Sequence, residues 1–140
     1  MQMTRWLAAG AALVTLAAPP VMAQSDAALK ADATTPGDIL THGMGYNNQR
    51  YSALKQINTS TVAKLAPLWS YSLNNPQGQE SQPIIHDGVM YVTTFNRTMA
   101  INPLTGRQLW KADVELPQDV FKYACCGILN RGAAIYEGKI

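Results

Sequence analysis

Short runs of apolar and β-branched residues alternate with turn-forming residues along the second half of the chain. Runs of this kind, bounded by Gly, Pro, Asn and Asp, are typical of antiparallel strands. The pattern predicts strands at residues 68–73, 82–86, 89–94, 98–101 and 108–112. Asp87 and Gly88 separate two of these runs and predict a tight hairpin turn in which both residues have positive φ. The fold class is therefore all-β.

One six-residue pattern occurs twice. Residues 85–90, IHDGVM, recur in outline as residues 135–140, IYEGKI, an offset of 50 residues. A β-propeller blade contains four strands and repeats about every 40–50 residues. The repeat thus indicates a propeller, and we expect the chain to be truncated at about the start of the second blade. Such a chain is expected to fold poorly alone, because one repeat cannot bury both faces of its sheet.

The first 23 residues have the pattern of a secretory signal peptide. Arg5 precedes an apolar stretch at residues 6–18, and Val21, Met22 and Ala23 precede Gln24. We expect cleavage after Ala23 and export to the periplasm. The alternative, a transmembrane anchor, is disfavoured because the stretch is shorter than the ~20 residues that span a bilayer.

Residues 24–36 are predicted to be a flexible, solvated leader with a weak helical turn near 27–33, and residues 37–140 to be the propeller portion. A short helix is predicted at residues 59–65, with Thr59 or Ser60 as its cap. The composition, 47% hydrophobic and 14% charged, is that of a globular protein. The formal charge is only +2 and no basic tract is interleaved with aromatic residues, so nucleic acid is not an expected partner.

The two cysteines, Cys125 and Cys126, are adjacent. In an exported protein such a pair favours a vicinal disulfide, the alternative being two reduced thiols. A disulfide between neighbours closes almost no loop and so stabilises little, which suggests a functional role. A structural zinc site is disfavoured by the spacing, and His42 and His86 are interpreted as surface or satisfied strand residues.

Glu80 precedes a predicted strand, and Arg131 follows the cysteines. Taken singly, each is interpreted as a solvated charge. Together with the cysteines, they could line one pocket around a planar, multiply anionic ligand.

Three segments resemble the PQQ-dependent alcohol dehydrogenases, the methanol and ethanol dehydrogenase family, where PQQ is pyrroloquinoline quinone. Residues 48–58 are similar to an N-terminal RYS-L-QIN stretch. Residues 100–110 resemble the tryptophan-docking motif A-x-(D/N)-x-x-T-G-x-x-x-W, ending at Trp110. Residues 125–132 are similar to the segment that contains the family's vicinal cysteines.

The resemblance implies an eight-bladed β-propeller with tryptophan-docking motifs and a PQQ cofactor. It also implies that Glu80 and Arg131 contact PQQ, and that Cys125 and Cys126 form a disulfide stacked on one of its faces. The family oxidises primary alcohols to aldehydes, with bound Ca²⁺ or a lanthanide and an Asp base, and passes electrons to a cytochrome c. The metal ligands and the catalytic residues are expected beyond Ile140, so the chain is expected to be inactive alone. A homodimer or a small subunit in the full-length protein is left open.

The main alternative is a non-catalytic propeller scaffold of the cell envelope with PQQ-like repeats. It would account for Trp110 and the repeat. It does not account for the cysteine pair and Arg131.

Overall fold

The computed structural model describes residues 24–124 and 127–140. The predicted signal peptide and the cysteine pair, Cys125 and Cys126, lie outside the described residues. Among the residues described there is one antiparallel sheet with four strands in the order β1-β2-β3-β4. The strands are β1 Ile84–His86, β2 Val89–Thr94, β3 Arg97–Ile101 and β4 Gln108–Asp113. The all-β prediction agrees with this sheet.

The helical elements are short. Helix α1 spans Asp26–Ala31, and 3₁₀ turns occur at Asp32–Thr34, Val62–Lys64 and Val120–Lys122. Within the described ranges, none of these helices has the length and apolar character needed to cross a membrane. The sheet is therefore the main structural element of the described chain.

Tight turns connect the strands. Asp87 and Gly88 join β1 to β2 with φ values of 47° and 70°, which confirms the predicted hairpin turn. Asn102 organises the turn from β3 to β4, because its Oδ1 accepts from the Leu104 N–H at 2.9 Å and its main-chain oxygen accepts from the Gly106 N–H at 2.9 Å. An Asx side chain of this kind closes a turn without help from other elements.

The sequence repeat is also a conformational repeat. Glu137 and Gly138 have φ values of 47° and 72°, nearly those of Asp87 and Gly88. The flanking Tyr136 and Lys139 form an isolated antiparallel bridge. The second copy of the pattern thus begins a second hairpin.

Each face of the sheet has its own apolar cluster, because alternate residues of a strand point to opposite faces. Val92 lies opposite Met99 in the register and Met90 opposite Ile101, so these four share one face. Buried Leu40, Ile84 and Ile135 form the cluster on the other face, together with Tyr91 and residues of α1. The amino-terminal segment therefore covers one face of the four-stranded sheet β1–β4, which forms one propeller blade.

Residues 68–73 cover the opposite face but form no strand in the described structure, so this predicted strand is wrong. Trp69, Tyr71 and Leu73 pack on the Val92 cluster, as their alternation requires. The segment lies across the face of the sheet, and side-chain packing satisfies the apolar alternation without a backbone ladder.

The predicted helix at residues 59–65 is reduced to the 3₁₀ turn Val62–Lys64. Asn58 and Thr61 explain the difference, because the Asn58 Oδ1 accepts from the Ser60 N–H at 2.9 Å and the Thr61 Oγ1 accepts from the Asn58 N–H at 3.0 Å. Such local side-chain bonds compete with helical ones.

Residues 24–36 are more ordered than a solvated leader. Ser25 caps α1 by accepting from the Ala28 N–H at 3.2 Å. Asp32 is 1% exposed and accepts from the Leu40 and Thr41 N–H groups at 2.8 and 2.9 Å. The buried carboxylate thus ties the segment to the start of the folded part.

Candidate functional site

Glu80 lies in a polar segment that is attached to the end of β2. Gln79 Nε2 and Ser81 Oγ both donate to the main-chain oxygen of Thr93, at 2.8 and 2.7 Å. Thr93 is 2% exposed, and a buried carbonyl of this kind requires donors. Because both neighbours of Glu80 are bonded to one buried atom, the backbone that bears Glu80 is held at the strand end.

Arg131 lies in a loop attached to the same strand end. Asn130 Oδ1 accepts from the Thr93 hydroxyl at 2.6 Å and from the Gly132 N–H at 2.9 Å. The main-chain oxygen of Arg131 accepts from the Gln82 N–H at 3.4 Å. Gly132 has a φ of 131°, and a Cβ there would lie 3.1 Å from the Gln82 main-chain oxygen, so this position favours glycine.

These contacts bring together two side chains that are far apart in sequence. Arg131 Nε lies 3.3 Å from Glu80 Oε2. The Arg131 side chain is 77% exposed and that of Glu80 is 46% exposed. An exposed ion pair contributes little to stability, so the effect of this one is geometric: the Glu80 carboxylate engages Nε of Arg131 and orients a guanidinium that is largely exposed to solvent.

The predicted histidine interpretations agree with the contacts. His86 Nδ1 lies 2.9 Å from Asp38 Oδ2, and Asp38 Oδ1 accepts from the Asp87 N–H at 3.1 Å. His42 Nε2 lies 3.0 Å from Arg50 Nη2. Both histidines have structural partners. Among the described residues, no group of three or more His, Cys, Asp or Glu side chains could hold a metal ion.

Two tryptophans flank the blade in different environments. Trp69 Nε1 donates to the Pro103 main-chain oxygen at 2.9 Å, and its ring lies against Gly106. Trp110 lies opposite Ala100 in the register, with its ring centroid 6.0 Å from that of Tyr91, and it is 42% exposed. The Trp69 ring thus packs on the β3–β4 turn, while the Trp110 side chain remains partly exposed to solvent.

Sequence reasoning missed Thr93 and Trp69. Thr93 contributes its carbonyl to the Glu80 segment and its hydroxyl to the Arg131 loop, yet in the sequence it is only the polar end of an apolar run. Thr93 and Thr94 are buried at 2% and 4% exposure, and this burial indicates a structural role for the pair. It is visible in the fold but not in the sequence. The apolar alternation predicts only a strand around Trp69, and the contact of its ring with the β3–β4 turn depends on tertiary packing.

A family profile matches residues 41–139 and is described as PQQ, the glucose/ethanol/alcohol dehydrogenase β-propeller domain. Quinoprotein ethanol dehydrogenase from Pseudomonas aeruginosa is 48% identical over 112 residues, covering 78% of this chain and 18% of the relative. The 1-butanol dehydrogenase (quinone) of Thauera butanivorans is 46% identical over 112 residues, with the same coverage of 78% and 18%.

Solved structures agree with these matches. A quinohemoprotein alcohol dehydrogenase from Pseudomonas putida HK5 superposes with a TM-score of 0.77 at 40% identity, covering 82% of this chain and 17% of that one. A europium-containing methanol dehydrogenase gives a TM-score of 0.74 at 30% identity, covering 81% and 20%.

The sheet, the profile and the superpositions define a quinoprotein β-propeller domain. The chain belongs to the PQQ-dependent alcohol dehydrogenase family. It spans less than a fifth of the length of these curated relatives.

Proposed function

We propose that the chain is the amino-terminal portion of a periplasmic PQQ-dependent alcohol dehydrogenase that oxidises primary alcohols to aldehydes and passes electrons to a cytochrome c. The observation that supports this most directly is the ion pair of Glu80 and Arg131, because Arg131 follows Cys125 and Cys126 closely in the sequence. The complete enzyme is an eight-bladed propeller, and removal of residues 1–23 follows export.

The described residues fit a planar anionic quinone. Arg131 offers several donors in a fixed plane, which suits carboxylate and quinone oxygens. Glu80 engages Nε of that side chain at 3.3 Å and so orients the guanidinium, whose terminal nitrogens we propose contact the ligand. When bound, PQQ supplies the oxidising group of the reaction.

The cysteine pair completes the proposed face. A vicinal disulfide of Cys125 and Cys126 would offer a flat, polarisable surface for the ring, while Glu80 and Arg131 would contact its edge. The site for Ca²⁺ or a lanthanide and the catalytic base are proposed to lie in parts of the enzyme beyond Ile140. The chain alone is therefore expected to be inactive.

The tryptophan contacts support a ring of docked blades. Trp69 sits on the turn of residues 102–106 with its indole N–H satisfied, and we propose that Trp110 makes the same kind of contact with the next blade. A half-exposed indole at the edge of a sheet is well suited to such packing.

The test uses the complete dehydrogenase, prepared without cofactor and titrated with PQQ. Arg131→Met should weaken PQQ binding roughly 10- to 100-fold, because it removes charge-assisted hydrogen bonds worth about 1.5–3 kcal/mol. Arg107→Met is the matched control, since Arg107 is an exposed arginine on the β3–β4 turn. Equal affinities of the two variants would contradict the role of Arg131. Failure of the wild-type enzyme to take up PQQ would contradict the function and favour a non-catalytic scaffold.

A further inference from the structure

Asn75 and Gln79 form a chain of hydrogen bonds that leads to the segment bearing Glu80. The Asn75 Oδ1 accepts from the Gln77 N–H at 3.0 Å, and the Asn75 Nδ2 donates to the Gln79 Oε1 at 2.8 Å. The Gln79 Nε2 donates in turn to the Thr93 main-chain oxygen at 2.8 Å. Two side-chain amides therefore join a backbone N–H group to a buried carbonyl at the end of β2.

The orientation of both amides follows from the two ends of this chain. A backbone N–H can only donate and a carbonyl oxygen can only accept, so the Gln77 N–H requires the Asn75 oxygen and the Thr93 oxygen requires the Gln79 nitrogen. The remaining halves of the two side chains then meet as donor and acceptor. Because hydrogen bonds aligned in this way polarise one another, a change at Asn75 weakens the bond at Thr93 as well.

Glu80 directly follows the last amide of the chain. The Gln79 Nε2 also donates to the Ser81 Oγ, which itself donates to the Thr93 main-chain oxygen. The contacts on both sides of Glu80 therefore depend on the direction of the Gln79 amide. Within the described part of the chain, Asn75 makes no hydrogen bond to Glu80, yet it is the residue that fixes this direction.

We propose that Asn75 is a positioning residue for the cofactor contact made by Glu80. The inference rests on the function proposed above, in which Glu80 and Arg131 contact PQQ. Asn75 acts through Gln79, because it holds that amide with its nitrogen toward the end of β2. The backbone of Glu80 is thereby fixed, and its carboxylate occupies one position relative to the Arg131 Nε, at 3.3 Å.

Asn75→Asp tests the proposal with almost no change of shape. The carboxylate still accepts from the Gln77 N–H, but it cannot donate to Gln79. The Gln79 nitrogen is then attracted to the new carboxylate, which turns the amide oxygen toward the Thr93 oxygen and breaks that bond. PQQ binding by the complete dehydrogenase should weaken roughly threefold to tenfold, the range expected for the loss of one or two hydrogen bonds.

Asn74→Asp is the matched control, because it adds the same charge one residue away. The Asn74 Oδ1 accepts from the Ser72 hydroxyl at 3.1 Å, and an aspartate keeps this acceptor. Asn74 has a φ of 47°, a conformation in which Asn and Asp are both common. The control should bind PQQ with nearly wild-type affinity. Equal weakening by the two substitutions would overturn the proposal, because charge alone would then explain the effect.

A double variant shows whether Asn75 acts through Gln79. Gln79→Met keeps the approximate size of the side chain and removes its hydrogen bonds, so it should weaken PQQ binding by itself. In that background the Asn75 donor has no target, and Asn75→Asp should cause no further loss of affinity. Such non-additivity identifies residues that act in one network. Two losses that simply add would contradict the proposed route.

Two further readouts distinguish positioning from stability. At saturating PQQ, the absorption maximum of the bound quinone should shift in Asn75→Asp, and the thermal midpoint of its apoenzyme should equal that of Asn74→Asp. An Asn75→Asp protein with a lower midpoint and unchanged PQQ affinity would make the role of Asn75 structural only.

A cofactor-independent measurement separates this inference from the proposed function. In the apoenzyme, amide hydrogen exchange of the peptide that covers residues 77–82 should be faster in Asn75→Asp than in Asn74→Asp. Equal exchange rates would overturn the inference and leave the proposed function standing. Failure of the wild-type enzyme to take up PQQ would contradict the proposed function, and with it the role of Asn75, whatever the exchange rates are.

Discussion

The blade and the corner that holds Glu80 and Arg131 are stabilised in opposite ways. At the centre of the blade, Met99, Ala100 and Ile101 are at most 1% exposed and pack on both faces of the sheet. At the corner, the two charged side chains are 46% and 77% exposed and depend on hydrogen bonds to Thr93 and its neighbours. Apolar burial determines whether the blade folds, whereas the polar bonds determine the positions of the Glu80 and Arg131 side chains. Substitutions should therefore separate stability from cofactor binding.

The largest expected effect is in the blade, at Gly106. This residue has a φ of 69°, and a Cβ would lie 2.6 Å from Cδ2 of Trp69. Gly88 has a φ of 70° but nothing within 4 Å of an added Cβ, so it is a matched control. Gly88→Ala should cost about 1–2 kcal/mol of unfolding free energy from backbone strain alone. Gly106→Ala should cost about 1–3 kcal/mol more, because the ring must move.

Denaturant unfolding of the complete dehydrogenase measures this difference. PQQ affinity at temperatures where both variants are folded should stay close to that of the wild type. Equal destabilisation by the two substitutions would show that the contact between Trp69 and the turn does not contribute to the free energy of unfolding.

An intermediate effect is expected at Thr93, where the blade meets the corner. Thr93→Val keeps the shape and the main-chain oxygen but removes the hydroxyl that donates to Asn130. Asn130 Oδ1 then keeps only the bond from the Gly132 N–H, so the Arg131 loop is no longer tied to β2 through this side chain. PQQ binding should weaken roughly tenfold, which corresponds to about 1.4 kcal/mol.

Thr93→Ser restores the donor and should restore most of the affinity. Titration of the apoenzyme with PQQ, run beside thermal unfolding, provides the test. A Thr93→Val protein that loses stability but keeps its affinity would assign Thr93 to the blade alone.

The smallest effect concerns an exposed end of the blade. The Arg97 guanidinium beside Asp113, with a further contribution from Lys111, lowers the pKa of the Asp113 carboxyl. Because the folded pKa lies below the unfolded one, this interaction stabilises the protein above the unfolded pKa of about 3.9 and is lost as the pH falls through the folded value.

Asp113→Asn should therefore slightly reduce the thermal unfolding midpoint at neutral pH. It should also make the decrease in that midpoint smaller as the pH is lowered from roughly 5 to 2. Midpoints recorded across that range for the wild type and the variant give the comparison. Parallel curves would show that the ion pair does not contribute.

Local features of the sequence predicted the blade well. The hairpin at Asp87 and Gly88 was predictable because the turn chemistry lies in the two residues themselves, and strand β2 matches its predicted bounds. The predicted strand at residues 68–73 was wrong because an alternating apolar pattern also describes a segment that packs across a sheet. Periodicity reports burial on one side and does not identify the backbone partner.

The corner was less accessible to sequence reasoning. Each of Glu80 and Arg131 alone has the features of a solvated charge, and only their combination with the cysteine pair, and then the family resemblance, indicated a site. Their proximity depends on Thr93, which bonds to both segments from the end of a strand. Contacts of this kind join residues that are distant in sequence and leave no periodic signal.

The position of Thr93 has a consequence for protein engineering. A designer who wished to transfer the corner of Glu80 and Arg131 to another propeller would need residues 79–82, the threonine and residues 130–132 as one unit. Grafting only the carboxylate and the guanidinium would move the charges without the anchor that sets the distance between them.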